Sequence, residues 1–139
     1  MRIFLDTDVL LDVALDREPH AASASALLDL LERRVGTGHI AWHTISNVFY
    51  LIAKDKTKER AKLFIGELLR FVQIAPVSTE LLQRALKLPV SDFEDAMQVV
   101  CAEACDADVI ATRNVMDYRR SPIRPMTPAK LLGQLRDSD

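Results

Sequence analysis

A chain of 139 residues is long enough for one domain with a substantial core, and 49% hydrophobic with 27% charged residues is an ordinary globular balance. No apolar run approaches the ~20 residues of a membrane span, and Asp6 follows the first apolar residues too soon for a signal-peptide core, so we expect a cytoplasmic protein with no membrane partner. The net charge of −2 excludes a highly basic coat protein for nucleic acid, although it leaves room for a local basic patch.

Short apolar runs that predict strands alternate along the chain with longer stretches of helical periodicity. The first half predicts a strand at 2–5, a helix at 9–15 and an amphipathic helix at 21–34, followed by a strand at 39–42. The next helix is capped by Thr44 or Ser46 and runs to Lys54. A basic turn at 54–60 then leads into a helix that ends near Phe71.

The second half continues the alternation of strands and helices. It predicts a strand at 72–74, a helix at 81–88, an acidic helix to about 104, a strand at 109–111, an edge strand around 124–126 and a last helix from Pro128 to Leu135. Strands that alternate with helices indicate an α/β domain with a mainly parallel sheet of four to five strands. Cys101 and Cys105, four residues apart in one helix, are expected to be buried thiols.

Two acidic clusters stand out against this background. The first, directly after the first strand, contains Asp6, Asp8 and Asp12. The second places three carboxylates in the four residues 92–95, before an apolar run, with Ser91 or Asp92 as the helix cap. Two carboxylate groups of this kind suit a divalent cation that prefers oxygen ligands.

The predicted topology brings these clusters together. Ligands of parallel α/β sheets lie beyond the carboxyl ends of the strands, and Asp6 and the segment 112–114 follow two such ends. The helix starts near Asn47 and at 92–95 open onto the same edge. Closely set carboxylates repel one another, so we expect raised pKa values in the absence of a cation and weaker metal binding as the pH falls.

Four short motifs follow one another along the chain: residues 6–12 (DTDVLLD), 46–50 (SNVFY), 92–96 (DFEDA) and 112–118 (TRNVMDY), with 126–128 (MTP) before the last helix. In this order and spacing they resemble the PIN domain family, over essentially the whole chain, 1–139. The resemblance implies a three-layer α/β/α sandwich with an acidic site for Mg²⁺ or Mn²⁺, and hydrolysis of RNA phosphodiester bonds. Many bacterial members are toxins of VapC-type toxin–antitoxin pairs and are commonly dimeric, which implies RNA, an antitoxin and a second copy as partners.

The resemblance also assigns roles to individual residues. Asp6 and Asp95 match the family's metal-site aspartates. Asp92 and Asp117 are expected as further acids of the catalytic set, which either orient the attacking water or contact the groups that bind the metal. Asn47 falls where most members carry a glutamate, and Asn114 where many carry an aspartate. Thr112, Arg113 and Asp8 are expected beside this site, in contact with its ligands or with substrate.

Basic and aromatic residues near the predicted site are candidates for contact with RNA. The arginines that follow the fourth strand are Arg113, Arg119, Arg120 and Arg124, and a second basic stretch at 54–62 is interpreted as a solvated turn and helix face. Tyr118 and Tyr50 are candidates for stacking on bases, with packing favoured for Tyr50. Trp42 is expected at the core or edge of the second strand, and a plain surface role for Asp12 is as well supported as one at the site.

The function hypothesis is metal-dependent hydrolysis of RNA, and three alternatives stay open. One is a non-catalytic PIN-fold module that binds nucleic acid, because Asn47 and Asn114 offer carbonyl oxygens without charge. A second is a haloacid-dehalogenase-type phosphatase with Asp6 as nucleophile and Asp8 as acid/base, although the chain has no Gly-Asp pair. A third is a phosphorylation receiver, which would need a lysine after its last strand.

Overall fold

Five parallel strands form the central sheet of the computed structural model, which describes residues 1–138. The strands are β1 (Arg2–Leu5), β2 (Thr37–Ile40), β3 (Val72–Ile74), β4 (Val109–Ala111) and β5 (Pro125–Met126). They pair in the order β3-β2-β1-β4-β5, with Ile3 opposite both Gly38 and Val109. The predicted parallel sheet is confirmed.

Helices cover both faces of this sheet. They are α1 (Thr7–Ala14), α2 (Ala21–Glu32), α3 (Trp42–Asp55), α4 (Lys58–Leu68), α5 (Thr79–Ala85), α6 (Phe93–Ala104) and α7 (Pro128–Ser138), with a 3-10 helix at Val115–Tyr118. Successive side chains of a strand point to opposite faces, so Ile3 and Leu5 pack in one core cluster and Phe4 in the other. The result is the expected three-layer α/β/α sandwich.

The strand order reverses direction at β1. The chain adds β2 and β3 on one side of β1 and then places β4 and β5 on its other side. Such a switch point opens a crevice at the carboxyl ends of the two central strands, which is where parallel sheets bind ligands. Asp6 leaves β1 at this crevice, and its backbone N–H donates to the carbonyl oxygen of Ala111 at 3.0 Å.

The boundaries around the second strand differ from the prediction. The strand begins at Thr37 instead of 39, because Gly36 makes the preceding turn with a φ of +99°. Helix α3 accordingly starts at Trp42, with Ala41 at its N-cap position instead of Thr44 or Ser46. Trp42 is 65% exposed, so its expected place in the core or edge of a strand is wrong.

Several local predictions are confirmed. The Asp92 side chain caps α6 by accepting from the backbone N–H of Asp95 at 3.0 Å, and Pro128 is the first residue of α7. Both cysteines are free and buried, and burial raises the pKa of the Cys101 thiol to about 11. Within residues 1–138, none of the helices has the length and apolar character that crossing a bilayer requires.

Gly38 provides a test of the packing around β2. A Cβ atom there would lie 3.1 Å from Leu31 Cδ1 and 3.2 Å from Val72 Cγ2, so we expect Gly38→Ala to lower the free energy of unfolding by about 1–3 kcal/mol. Gly66→Ala in α4 is the control, because no atom lies within 4 Å of the added carbon and the variant should gain about 0.5–1 kcal/mol. Urea unfolding measures both variants, and stability changes of the same sign would contradict the close packing at Gly38.

Candidate active site

An open pocket of about 620 Å³ lies beyond the carboxyl ends of β1 and β4. Six acidic side chains line it: Asp6, Asp8, Asp92, Glu94, Asp95 and Asp117. Asn47 and Asn114 complete its polar wall, and within residues 1–138 no lysine or arginine contributes to the lining. The predicted meeting of the two acidic clusters is therefore present in the structure.

Asp6 is the buried carboxylate of this pocket, with 4% of its surface exposed. Its Oδ1 accepts from Gln98 Nε2 at 3.0 Å, and its Oδ2 accepts from Thr112 Oγ1 at 2.8 Å. Burial raises the pKa of Asp6 above its usual value, although both hydrogen bonds stabilise the charged form. The carboxylate is thus fixed in position but is costly to ionise without a cation.

Asp95 is joined to Asp6 by a continuous run of hydrogen bonds. Gln98 Nε2 also donates to Tyr118 Oη at 3.0 Å, and the Tyr118 hydroxyl donates to Asp95 Oδ1 at 3.1 Å. We call the Gln98 and Tyr118 side chains the bridging pair, and both are buried. Burial is the main cause that raises the pKa of Asp95 to about 6, repulsion by Asp92 and Asp6 adds to it, and the Tyr118 hydrogen bond opposes it.

The two asparagines place amide groups beside acids of the pocket. Asn47 Nδ2 donates to Glu94 Oε1 at 3.2 Å, and Asn114 Nδ2 donates to Asp8 Oδ2 at 3.2 Å. Burial raises the pKa of Glu94, and the nearby Asp92 carboxylate adds to the shift. Each asparagine therefore donates a hydrogen bond to a neighbouring carboxylate. An aspartate or glutamate at the same position would have repelled that carboxylate.

Arg113 bonds to Asp12 and does not line the pocket. Its Nε donates to Asp12 Oδ2 at 2.9 Å and its Nη2 to Oδ1 at 3.3 Å, while Arg17 lies 3.9 Å from the same carboxylate. Asp12 is 2% exposed, so the alternative of a plain surface role for it is wrong. The pair ties the segment after β4 to α1, and the predicted substrate contact of Arg113 stays a prediction.

The remaining predicted residues divide between the rim and the frame of the pocket. Asp92 and Asp117 are exposed at its rim, and Asp92 uses one oxygen to cap α6. Thr112 is fully buried and lies behind the lining, where its hydroxyl donates to Asp6 and accepts from the Asn114 backbone N–H at 3.0 Å. Thr112 therefore orients Asp6 from outside the pocket.

Sequence reasoning missed the bridging pair. Gln98 is a polar residue within the mostly apolar run 96–104, three residues after Asp95. Its place on the same helix face as Asp95 was the signal in the sequence that could have identified it. The roles expected of the two tyrosines are reversed, because Tyr118 is fully buried and Tyr50 is 69% exposed on the pocket wall. Stacking of Tyr118 on a base is wrong for this reason.

The donor atoms fit a hard divalent cation that keeps several waters. Every candidate ligand is an oxygen, and Asp95 Oδ2 accepts no hydrogen bond from residues 1–138. Among these residues, no three His, Cys, Asp or Glu side chains are close enough to hold one ion together. Asp6 and Asp95, with carbonyl oxygens of asparagine and water, form the donor set available to Mg²⁺ or Mn²⁺.

The fold and this site define an α/β/α domain with an acidic, oxygen-lined pocket at the switch point of its sheet. The family model of the PIN domain matches residues 2–116, so the chain belongs to the PIN domain family. No curated protein matches the sequence significantly.

Several solved structures share this fold. VapBC2 from Rickettsia felis bound to a promoter DNA fragment is 20% identical with a TM-score of 0.70, over 91% of this chain and 98% of that one. DNA-bound VapBC from Salmonella typhimurium is 17% identical with a TM-score of 0.69, over 92% and 98%. VapC20 from Mycobacterium tuberculosis, described as a sarcin-ricin loop cleaving toxin, is 15% identical with a TM-score of 0.63, over 78% and 86%.

The raised pKa of Asp95 has a measurable consequence for stability. The native carboxyl titrates near pH 6 and the ordinary value is 3.8, so between about pH 4 and pH 6 the native state holds more protons than the unfolded state. The metal-free protein should therefore lose stability as the pH rises through this window. Asp95→Asn removes the titrating group. Because water screens a half-exposed carboxyl, we expect only part of the full linkage energy, a gain on the order of 1 kcal/mol relative to the wild type that develops as the pH rises from about 4 to 6.

Thermal and urea unfolding in EDTA measure this difference, and carboxyl carbon NMR follows the Asp95 titration directly. Below about pH 6 a bound cation must displace the Asp95 proton, so Mn²⁺ affinity should fall by about tenfold per pH unit. A stability difference independent of pH would contradict the assignment.

Tyr118→Phe tests the bridging pair. The change removes the donor to Asp95 and one acceptor of Gln98, so we expect a loss of about 1–3 kcal/mol in stability and a further rise of the Asp95 pKa. Tyr50→Phe is the matched control, because its exposed hydroxyl has no hydrogen-bond partner in residues 1–138 and its loss should change stability by less than about 0.5 kcal/mol. Equal effects of the two variants would disprove the role of the pair.

Proposed function

We propose that this protein is a divalent-cation-dependent ribonuclease and the toxin of a toxin–antitoxin pair. The observation that carries the proposal is the hydrogen-bonded frame that holds Asp6 and Asp95 on one open pocket at the switch point of the sheet. PIN nucleases generally use divalent metal ions, and the all-oxygen donor set agrees with that chemistry. Mg²⁺ and Mn²⁺ are the cations we propose.

In this proposal, the residues of the pocket have different roles in hydrolysis. A divalent cation, when bound, polarises a phosphoryl oxygen and lowers the pKa of water. Asp6 and Asp95 would hold it through their carboxylate oxygens, and Gln98 and Tyr118 join these two side chains by hydrogen bonds. Asp92 and Asp117, exposed at the rim, orient the attacking water and accept its proton.

The phosphatase alternative is not supported by the sequence. A haloacid-dehalogenase-type site is expected to carry a Gly-Asp acidic motif after a late strand, and the chain has no Gly-Asp pair. Membership of the PIN domain family also argues against that fold and against a receiver domain.

The non-catalytic PIN module remains the second candidate function. The observation that favours it is the lack, in residues 1–138, of three acidic or other strong ligands around one point. Asn47 and Asn114 also direct their Nδ2 groups at acids, which lowers repulsion in a pocket without metal. A module of this kind would bind nucleic acid without cleaving it.

The proposed partners come from the family and its structural neighbours. The Rickettsia felis and Salmonella typhimurium structures are VapBC complexes, which supports an antitoxin as the protein partner of this chain. We further propose that the toxin acts in the cytoplasm as a homodimer, with RNA as its substrate.

Cleavage of a mixed RNA pool tests the enzyme directly. We expect Mg²⁺- or Mn²⁺-dependent cleavage by the wild type that EDTA abolishes, and a loss of more than about 100-fold in Asp6→Asn and Asp95→Asn, since even outer partners of a metal site cost 10–100-fold. Asp29→Asn is the matched control, because that exposed carboxylate pairs with Arg33 on α2, outside the pocket lining.

Calorimetry with Mn²⁺ separates the two candidate functions. Binding that is lost in both site variants and kept in Asp29→Asn supports the nuclease. Wild-type protein that neither cleaves RNA nor binds Mn²⁺ would sink the enzyme proposal, and RNA binding in the same sample would favour the non-catalytic module.

A further inference from the structure

We propose that the groove between α3 and α4 is a subsite for an unpaired nucleotide next to the cleaved phosphate, with its base stacked on Tyr50. The inference rests on the proposed nuclease function and deepens it, because it adds a base-binding contact at Tyr50 beside the acidic pocket. It assigns a binding role to a surface outside the acidic pocket.

The groove and the acidic pocket share a wall. The groove measures about 730 Å³, within the range of roughly 300–1,000 Å³ typical of ligand sites, and Trp42, Phe49 and Ile65 are among its apolar lining residues. Ser46 and Tyr50 line both depressions, so Tyr50 stands between them. A nucleotide in the groove is therefore adjacent to a phosphate in the pocket.

The aromatic residues of this wall are unusually exposed. Tyr50 is 69% and Trp42 65% exposed, and α3 brings both to one side at intervals of four residues with Ser46. Every base has a π-face, so exposed aromatic side chains bind unpaired bases without regard to sequence. Bases in a duplex are already stacked on their neighbours, so this subsite selects unpaired RNA.

The negative charge of the acidic pocket means that RNA needs additional contacts outside it in order to bind. The acidic pocket has six carboxylates and, within residues 1–138, no basic side chain in its lining, so it repels the RNA backbone around any bound cation. Lys62 lies on the opposite wall of the groove and has no ion pair within these residues. It ends the basic stretch 54–62 and is placed to contact a phosphate of the strand.

An apolar groove also suits a protein helix, and that is the competing occupant. The shared Tyr50 wall and the basic Lys62 favour RNA, because a nucleotide needs both an apolar surface and a cation. RNA is therefore the probe that tests the groove.

Trp42 is the single tryptophan of the chain and reports on the groove directly. In EDTA, where no cleavage occurs, a short unstructured RNA should quench its fluorescence, and the same strand in a duplex should not. Tyr50→Ala should weaken this binding by about tenfold, whereas Tyr50→Phe keeps the ring and the affinity. Leu86→Ala, at a position 69% exposed outside the groove, is the control and should bind as the wild type does.

Salt dependence separates stacking from phosphate contact. Lys62→Gln should reduce the slope of log affinity against log salt concentration by about 0.7, the value for one phosphate of a single strand. Tyr50→Ala should lower the affinity at every salt concentration and leave the slope unchanged.

The combined outcomes distinguish the subsite from the nuclease proposal. RNA cleavage by the wild type that is equally efficient in Tyr50→Ala, with unchanged quenching, would overturn the subsite and leave the nuclease standing. Quenching that depends on Tyr50 in a protein that never cleaves RNA would support the subsite and reject the nuclease. Absence of quenching by any RNA would overturn the subsite.

Discussion

The burial of the Asp6 carboxylate at the switch point is the constraint on which the rest of the site depends. A charged group that is 4% exposed is tolerated only when its oxygens are occupied, and Gln98 and Thr112 occupy both. These donors come from α6 and from the end of β4, so the sheet, the late helix and the first strand must all be in place for one side chain to be satisfied. The strand order that places β4 beside β1 is therefore also what supplies the hydrogen bonds that the Asp6 carboxylate needs.

The buried and closely spaced carboxylates of the pocket lower the stability of the folded protein in the absence of a cation. Burial and neighbouring acids raise the pKa values of Asp6, Glu94 and Asp95, and the amides of Asn47 and Asn114 relieve only part of the repulsion. A site whose charges are unfavourable alone gains most from a cation, because binding removes the repulsion at once. The two asparagines therefore lower the repulsion among the carboxylates of the metal-free pocket.

Sequence patterns predicted most of the fold, because strands alternating with helices and their polar caps are local signals. Asp92 and Pro128 were found at the correct helix starts on this basis. The acidic clusters were also expected to meet, since parallel strands present their carboxyl ends at one edge. Burial was harder to foresee: Asp12, Tyr118 and Gln98 are polar residues whose partners lie far away in the chain, and only the three-dimensional packing pairs them.

The length of chain between the two halves of the site has a consequence for biosynthesis. Asp6 is synthesised long before Tyr118, and the hydroxyl that holds Asp95 belongs to the 3-10 helix after β4. The two carboxylates can therefore take up their places in the pocket only after residues 115–118 have been synthesised and packed. A nascent chain that still lacks this segment has the Asp6 and Asp95 side chains but not the hydrogen bonds that join them.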